Sequence, residues 1–200
     1  MEYAVGSLEL IGGPMFSGKS SEILRRLLID VEIGFRVAYI NHKADTRSSG
    51  PFSTHNPLYK ESLEKKNLEF LTSEHLSDLT KDIQNFDVIG IDEAQFFGDL
   101  AKVVPRWVDS LNKKVIVAGL TGDFCRRKFG QLLDLEPMAD TYTKLSSCCL
   151  PCARSKKRKI NAIFTHRMTK TGTQVKVGGA ESYIPVCREC YLRLNSEETS

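Results

Sequence analysis

Gly13-Pro14-Met15-Phe16-Ser17-Gly18-Lys19-Ser20 fits the pattern G-x-x-x-x-G-K-[ST] at every fixed position. In such a loop successive backbone N–H groups turn inward and cradle the oxygens of a di- or triphosphate. Gly13 and Gly18 permit the tight turn and the close approach of backbone to phosphate. Lys19 brings a positive charge to the β and γ phosphates, and the Ser20 hydroxyl suits Mg²⁺. A helix starting near Gly18 adds its N-terminal dipole to the same anion.

The flanks agree with this reading. Leu8-Glu9-Leu10-Ile11-Gly12 reads as a buried strand, and Ile23, Leu24, Leu27, Leu28 and Val31 recur at helical spacing over Ser21–Ile33 until Gly34. Arg36–Ile40 is a second strand, so a right-handed parallel crossover is expected. Residues 41–57 are polar and rich in Ser, Asn, Pro and Thr, and are expected to form a mobile loop. Its segment Lys43-Ala44-Asp45-Thr46-Arg47 carries mixed charge beside a strand's C-terminal end, where ligands sit in open α/β sheets; a plain solvated loop is the alternative.

Further along, Leu68–Leu71 reads as a short strand, and Ser73 as the N-cap of a helix carrying Leu76, Leu79 and Ile83. Asp87–Ile91 is an apolar strand that closes in Asp92-Glu93. Downstream of a phosphate loop, an acidic residue there holds Mg²⁺ directly or through water. Glu93, the second carboxylate, suits a general base toward an incoming nucleophile. Phe96 and Phe97 either offer a flat acceptor a stacking wall or fill the core, the latter being the default for one of them. A helix from Leu100 to Leu111 contains Pro105, so a kink or a late start is expected, with Trp107 in the core. Val115–Gly119 is the next buried strand. Leu120–Gly130 then mixes Phe124 and Phe129 with Arg126, Arg127 and Lys128, as a base-and-phosphate loop or a solvated one with two anchoring rings.

Four of the six cysteines form two C-x₂-C pairs, Cys149/Cys152 and Cys187/Cys190, a spacing that suits a structural tetrahedral Zn²⁺. Cys148 offers a less favoured C-x₃-C with Cys152, and Cys125 is expected to be an unpaired thiol. Between the pairs, Ile160–His166 and Thr173–Val177 are strand-like around a Lys170-Thr171-Gly172 turn, which suggests a β loop clamped at its base by the metal. His42, His55, His75 and His166 have no ligand spacing.

Composition narrows the class. The chain has 200 residues, 41% hydrophobic and 26% charged, ordinary values for a soluble globular protein. A net charge of +3 does not by itself argue for nucleic acid, and the run Lys156–Lys159 reads as a solvated tip without stacking aromatics. No apolar run approaches the roughly 18 residues of a membrane span. The first five residues lack the character of a secretory signal, so an intracellular, cytoplasmic protein is expected, with metal-binding rather than disulfide-bonded cysteines. The chain divides into a nucleotide-binding part, 1–145, a zinc-clamped part, 146–195, and a frayed tail, 196–200.

Taken together these motifs resemble the type II thymidine kinases. The resemblance runs from Leu8 to Tyr191 and rests on residues 13–20, Asp45-Thr46-Arg47, Ile91-Asp92-Glu93-Ala94-Gln95-Phe96-Phe97, Gly119-Leu120, Phe129-Gly130, the two cysteine pairs, Val177-Gly178-Gly179-Ala180 and Tyr183. It implies an α/β fold, a P-loop (RecA-like) parallel sheet flanked by helices with a small C-terminal zinc-binding β lasso domain. It also implies transfer of the ATP γ-phosphoryl group, with Mg²⁺, to the 5′-hydroxyl of thymidine or deoxyuridine. Residues 13–20, Asp45–Arg47 and Asp92–Gln95 would then surround ATP and Mg²⁺, with Glu93 as the base. Met15, Phe96, Leu120, Phe124, Phe129, the lasso Gln174-Val175-Lys176-Val177-Gly178 and Tyr183 would hold the nucleoside. Cys149, Cys152, Cys187 and Cys190 would bind the zinc that anchors the lasso. A homotetramer, inhibition by dTTP and a place in nucleotide salvage for DNA synthesis follow from the resemblance alone, with neither membrane nor nucleic acid as a partner. Ser21, Thr121 and Lys128 depart from the commoner Thr, Asp and Pro of relatives, which bears on nucleoside selectivity. The competing reading is a zinc-ribbon ATPase acting on nucleic acid, with Lys156–Lys159 on the backbone.

Overall fold

A computed structural model describes residues 5–44, 67–168 and 182–196. Asp45–Arg47, the Lys170-Thr171-Gly172 turn, the strand expected over Thr173–Val177, the lasso residues Gln174–Gly178 and residues 197–200 lie outside the described residues.

The centre is a six-stranded parallel sheet built from β1 (Ser7–Gly13), β2 (Val37–His42), β3 (Leu68–Ser73), β4 (Val88–Ile91), β5 (Lys114–Leu120) and β6 (Thr141–Lys144), in the order β3-β2-β4-β5-β1-β6. One strand, β5, separates the phosphate-loop strand β1 from β4, which carries Asp92 at its end. Helix α1 (Lys19–Glu32) and helix α2 (Leu100–Asp109) follow β1 and β4.

Strand side chains alternate between two cores, as the period of two requires. Val37, Tyr39, Val88, Ile116 and Ala118 pack with Ile23, Leu24, Leu27 and Val31 of α1. Leu8, Leu10, Ala38, Ile40, Ile89, Ile91, Val115 and Val117 pack with Leu100, Val104 and Trp107 of α2. Full burial of each large aliphatic side chain contributes about 1.5–3 kcal/mol, so both helices are held by their apolar stripes. The α2 helix begins at Leu100 and passes through Pro105, so the late start does not occur.

The helix expected after Ser73 is absent. Leu76–Leu79 and Asp82–Asn85 are two short 3₁₀ turns instead. Ser73 ends β3, and its hydroxyl bonds to the His75 backbone rather than capping a helix. The Asp99 carboxylate accepts the Leu76 and Ser77 N–H groups at 3.2 and 2.9 Å. Thr80 Oγ1 donates to the Ser77 carbonyl, a local bond that competes with helical pairing. Leu76 and Ile83 are buried all the same, which is why their spacing looked helical.

The remainder forms a smaller unit. It comprises β7 (Ser147–Cys148) paired with β8 (Asn161–Ala162), β9 (Phe164–Arg167) paired antiparallel with β10 (Tyr183–Val186), and the helices α3 (Leu150–Lys156) and α4 (Arg188–Ser196). Each C-x₂-C pair therefore opens a helix, an outcome the β reading of this stretch did not anticipate. Helix α4 continues through Ser196, the first residue of the expected tail.

Candidate active site

Parallel register brings the chemistry together at one end of the sheet. Gly13 lies beside Leu120, and Ile91, the residue before Asp92, lies beside Val117. The loop leaving β1 turns through Gly18 at φ +82°, a conformation natural to glycine, and α1 starts at once with Lys19. Lys19 Nζ donates to the Pro14 carbonyl at 2.8 Å and Ser17 Oγ to the same oxygen at 2.9 Å, so the loop is organised by its own side chains. Phe16 holds φ +60° and is exposed, whereas Met15 is buried.

Asp92 is fully buried. Its carboxylate accepts the Tyr39 hydroxyl at 2.6 Å and the Glu93 N–H at 2.9 Å, and the Ser20 hydroxyl bonds to it as well. Burial, aided by the neighbouring Glu93 charge, pushes its pKa up despite those donors. A buried carboxylate and a hydroxyl, both hard oxygen donors, meet where a divalent cation would relieve that cost; the pair fits Mg²⁺.

Glu93 follows at φ +49°, a left-handed conformation that costs a non-glycine residue about 1–3 kcal/mol and concentrates at functional sites. Gln95 Nε2 donates to Glu93 Oε2, and Gln95 Oε1 accepts the Leu120 N–H at 2.9 Å. The side chain of Gln95 thus ties the carboxylate to the end of β5. Gly130, at φ +66°, passes directly over it: an added Cβ would stand 2.5 Å from Gln95 Cα.

The two phenylalanines divide their duties. Phe97 is wholly buried in the core, while Phe96 is half-buried and meets Phe129 edge-on, centroids 6.1 Å apart. His42 lies against both, 4.8 Å from Phe97 and 5.7 Å from Phe96. Burial lowers its pKa, and its Nδ1 accepts the Ala44 N–H, so the ring is neutral. His42 thus packs against the two rings, and His166 is buried in β9.

The loop after β5 is more ordered than either sequence reading of it. Gly122 bridges Lys128, and the buried Asp123 carboxylate accepts from Cys125 N, Arg127 N and the Arg127 guanidinium at 2.8–3.0 Å. Its tip is fastened to the C-terminal unit. The Arg167 guanidinium lies 3.7 Å from the Phe124 ring centroid, Arg126 lies 4.5 Å from that of Tyr191, and Tyr191 Oη donates to the Phe124 carbonyl at 2.8 Å. Beneath them the Met15 N–H donates to Thr165 Oγ1 at 3.0 Å. Sequence reasoning named Met15 and Phe124 but missed Thr165, Arg167, Tyr191 and Asp123. Tyr183 is buried in β10, opposite Arg167 in register.

Cys149, Cys152, Cys187 and Cys190 are buried, with all four sulfurs within 4.8 Å of one another. Sγ of Cys152 lies 3.9 Å from that of Cys187 and 3.5 Å from that of Cys190. Tetrahedral Zn²⁺ with Zn–S bonds of about 2.3 Å requires sulfur separations of roughly 3.8 Å, so the cluster fits. Bonds with the Cys190 and Cys149 sulfurs push the Cys152 thiol up to about 12, whereas backbone N–H groups outweigh burial and lower Cys149. Crowded thiols resist joint ionisation unless a cation sits among them. Cys148 and Cys125 are exposed and outside the cluster, whereas Cys149 lies within it.

A family model described as thymidine kinase matches residues 6–191. The chain belongs to the thymidine kinase family. Membership makes it an ATP-dependent kinase that phosphorylates thymidine. It is 38% identical over 188 residues to the cytosolic thymidine kinase of Bos taurus, covering 94% of this chain and 73% of that one. It is 39% identical to thymidine kinase a of Arabidopsis thaliana, covering 94% and 75%. Among solved structures, the flagellar accessory protein FlaH of Methanocaldococcus jannaschii superposes with a TM-score of 0.51, at 15% identity over 73% of each chain, a likeness of fold alone. No helix among the described residues is long and apolar enough to cross a membrane.

Proposed function

We propose that residues 13–20, with Asp45, Thr46 and Arg47, hold the ATP phosphates, and that Glu93 takes the proton from the 5′-hydroxyl of thymidine or deoxyuridine as it attacks the γ-phosphorus. The observation that carries this reading is the Glu93–Gln95–Leu120 linkage beside Asp92. It fixes the Glu93 carboxylate, 7% exposed, at the end of β4 beside the fully buried Asp92. Phosphoryl transfer needs positioning and charge stabilisation more than covalent chemistry. Lys19 and Arg47 supply positive charge, and Asp92 with Ser20 would hold Mg²⁺, alongside Ala94 and Gln95. Held there, Mg²⁺ would supply positive charge against the transferring phosphate.

Met15, Phe96, Leu120, Phe124 and Phe129 form the nucleoside's apolar surroundings, closed by the lasso Gln174–Gly178 and Tyr183. Backbone groups of the lasso read the base edge, so a base with the wrong donor pattern leaves them unpaired. A structural Zn²⁺ on the four cysteines anchors that lasso. Residues 1–145 thus bind the phosphates and supply the apolar surroundings of the nucleoside, and the zinc-clamped residues 146–195 close over it. We place the protein in the cytoplasm, in nucleotide salvage, as a homotetramer inhibited by dTTP.

The experiment is ATP consumption with thymidine, deoxyuridine, deoxycytidine or no acceptor at fixed Mg²⁺. Turnover with the first two alone supports the base-edge reading. Equal turnover without acceptor, or strong stimulation by single-stranded DNA, would replace it with the nucleic-acid ATPase.

A further inference from the structure

Between α2 and the first 3₁₀ turn lies a cavity of about 310 Å³. Its apolar lining is Val103, Trp107 and Leu111. Lys102 and Arg106, one helical turn apart on α2, also line it and are exposed. Neither cation has an ion-pair or hydrogen-bond partner for its side chain among the described residues. Asp99 lines the cavity as well, and backbone N–H groups of Ser77 and Leu76 hold its pKa down against the effect of burial, so two cations stand there against one carboxylate. Trp107 is 1% exposed, and its Nε1–H is the buried side-chain polar atom left without an acceptor among the described residues. An unsatisfied buried donor costs about 1–3 kcal/mol.

Two cations in excess over one acid, beside an apolar wall and around a volume of ligand size, describe a receptor for one chemical class. We propose that this cavity binds a small amphiphilic carboxylate. Its acid group pairs with Lys102 and Arg106, and its aryl or alkyl body packs on Val103, Trp107 and Leu111. The site is separate from the phosphate loop and from the nucleoside pocket. A ligand of about ten heavy atoms should bind there with a Kd of about a millimolar.

Trp107 is the chain's one tryptophan, so its indole N–H gives a single, assignable NMR resonance. The probe is phenylacetate, with phenylacetamide as its neutral counterpart, added to the protein already saturated with ATP or, separately, with thymidine. The expected result is a saturable shift of the indole resonance with phenylacetate. Binding should weaken at least fivefold for phenylacetamide and in the Lys102→Gln/Arg106→Gln double variant. No saturable shift, equal affinity for the amide, or loss of the shift when ATP or thymidine is bound would each overturn the site. Should the double variant misfold, the amide comparison on the unaltered chain still decides the role of charge.

Discussion

The Met15 N–H and the Thr165 hydroxyl meet at 3.0 Å across 150 residues of sequence, joining the phosphate loop to strand β9 of the cysteine-bound unit. A loop that must place a phosphate to within a fraction of an ångström is thereby registered against the unit proposed to hold the acceptor. Thr165→Val keeps the shape and leaves the Met15 donor buried and unpaired, at a cost of about 1–3 kcal/mol. For a chain of this size each kcal/mol lowers Tm by roughly 2–4 °C. Thr165→Val should therefore melt several degrees lower and raise the KM for both substrates, and Thr165→Ser should restore both. Equal behaviour of the Val and Ser variants would mean that the hydroxyl does not register the loop.

Glu93→Gln removes the proposed base while keeping a side chain that Gln95 can still meet. ATP affinity should be unchanged and kcat should fall by about 10²–10⁴, the usual contribution of a general base. Single-turnover kinetics with thymidine measure it. An unaltered kcat would return Glu93 to a purely structural role.

Gly130→Ala tests how Gln95 is held. The new Cβ would stand 2.6 Å from the Gln95 carbonyl oxygen, at a backbone φ of +66°. The left-handed conformation alone costs about 1–2 kcal/mol outside glycine, before any clash. Calorimetry should record a lower Tm, and thymidine KM should rise as Gln95 shifts away from Leu120. A variant with wild-type Tm and KM would show that the segment yields without disturbing Gln95.

Removal of metal from the four cysteines should act on the acceptor before the core. The cluster ties α3, α4 and the β9–β10 pair into one apolar unit that also presents Thr165, Arg167 and Tyr191 to the nucleotide-binding part. Chelation should raise thymidine KM at concentrations where far-UV circular dichroism of the main sheet is unchanged, with about one zinc released per chain. Thymidine affinity that survives complete release would separate the clamp from the acceptor site.

What was legible in the sequence was local or periodic. Residues 13–20 announced a turn and a helix start, and the apolar strands and Leu24/Leu27 spacing placed α1 on the sheet. The cysteine pairs announced a metal cluster through spacing alone. Thr165, Arg167 and Tyr191 carry no such mark, because a threonine in a strand and a tyrosine in a helix are ordinary until tertiary contact gives each a partner. The misread helix after Ser73 has the same origin: the Leu76 and Ser77 donors are met by Asp99, 22 or more residues away, a partner no local rule supplies. Strand β6 was likewise silent, since Thr141-Tyr142-Thr143-Lys144 is half-exposed at the sheet edge and lacks an apolar run.

Asp92 allows a prediction in which stability and function move oppositely. Burial first, and the Glu93 charge second, raise its folded pKa above that of the unfolded chain. The native state then binds this proton more tightly, so the contribution to stability is fullest below the unfolded pKa and is lost as pH rises through the folded value. Above the folded value the ionised carboxylate is a net cost that a bound cation would offset. Asp92→Asn removes the charge and keeps the hydrogen bonds: its oxygen accepts the Glu93 N–H, and its amide donates to a Tyr39 hydroxyl rotated to accept. Without Mg²⁺ the variant should melt several degrees higher than the wild type near neutral pH, and the gap should close in acid as wild-type Asp92 takes up its proton. With Mg²⁺ and ATP the wild type should gain more than the variant, and the variant's turnover should fall by orders of magnitude. Calorimetry across pH, with and without Mg²⁺, separates the two effects. A variant that melts below the wild type without Mg²⁺ near pH 7 would mean that the Ser20 and Tyr39 bonds already outweigh the burial of this charge, leaving the cation no stabilising role there.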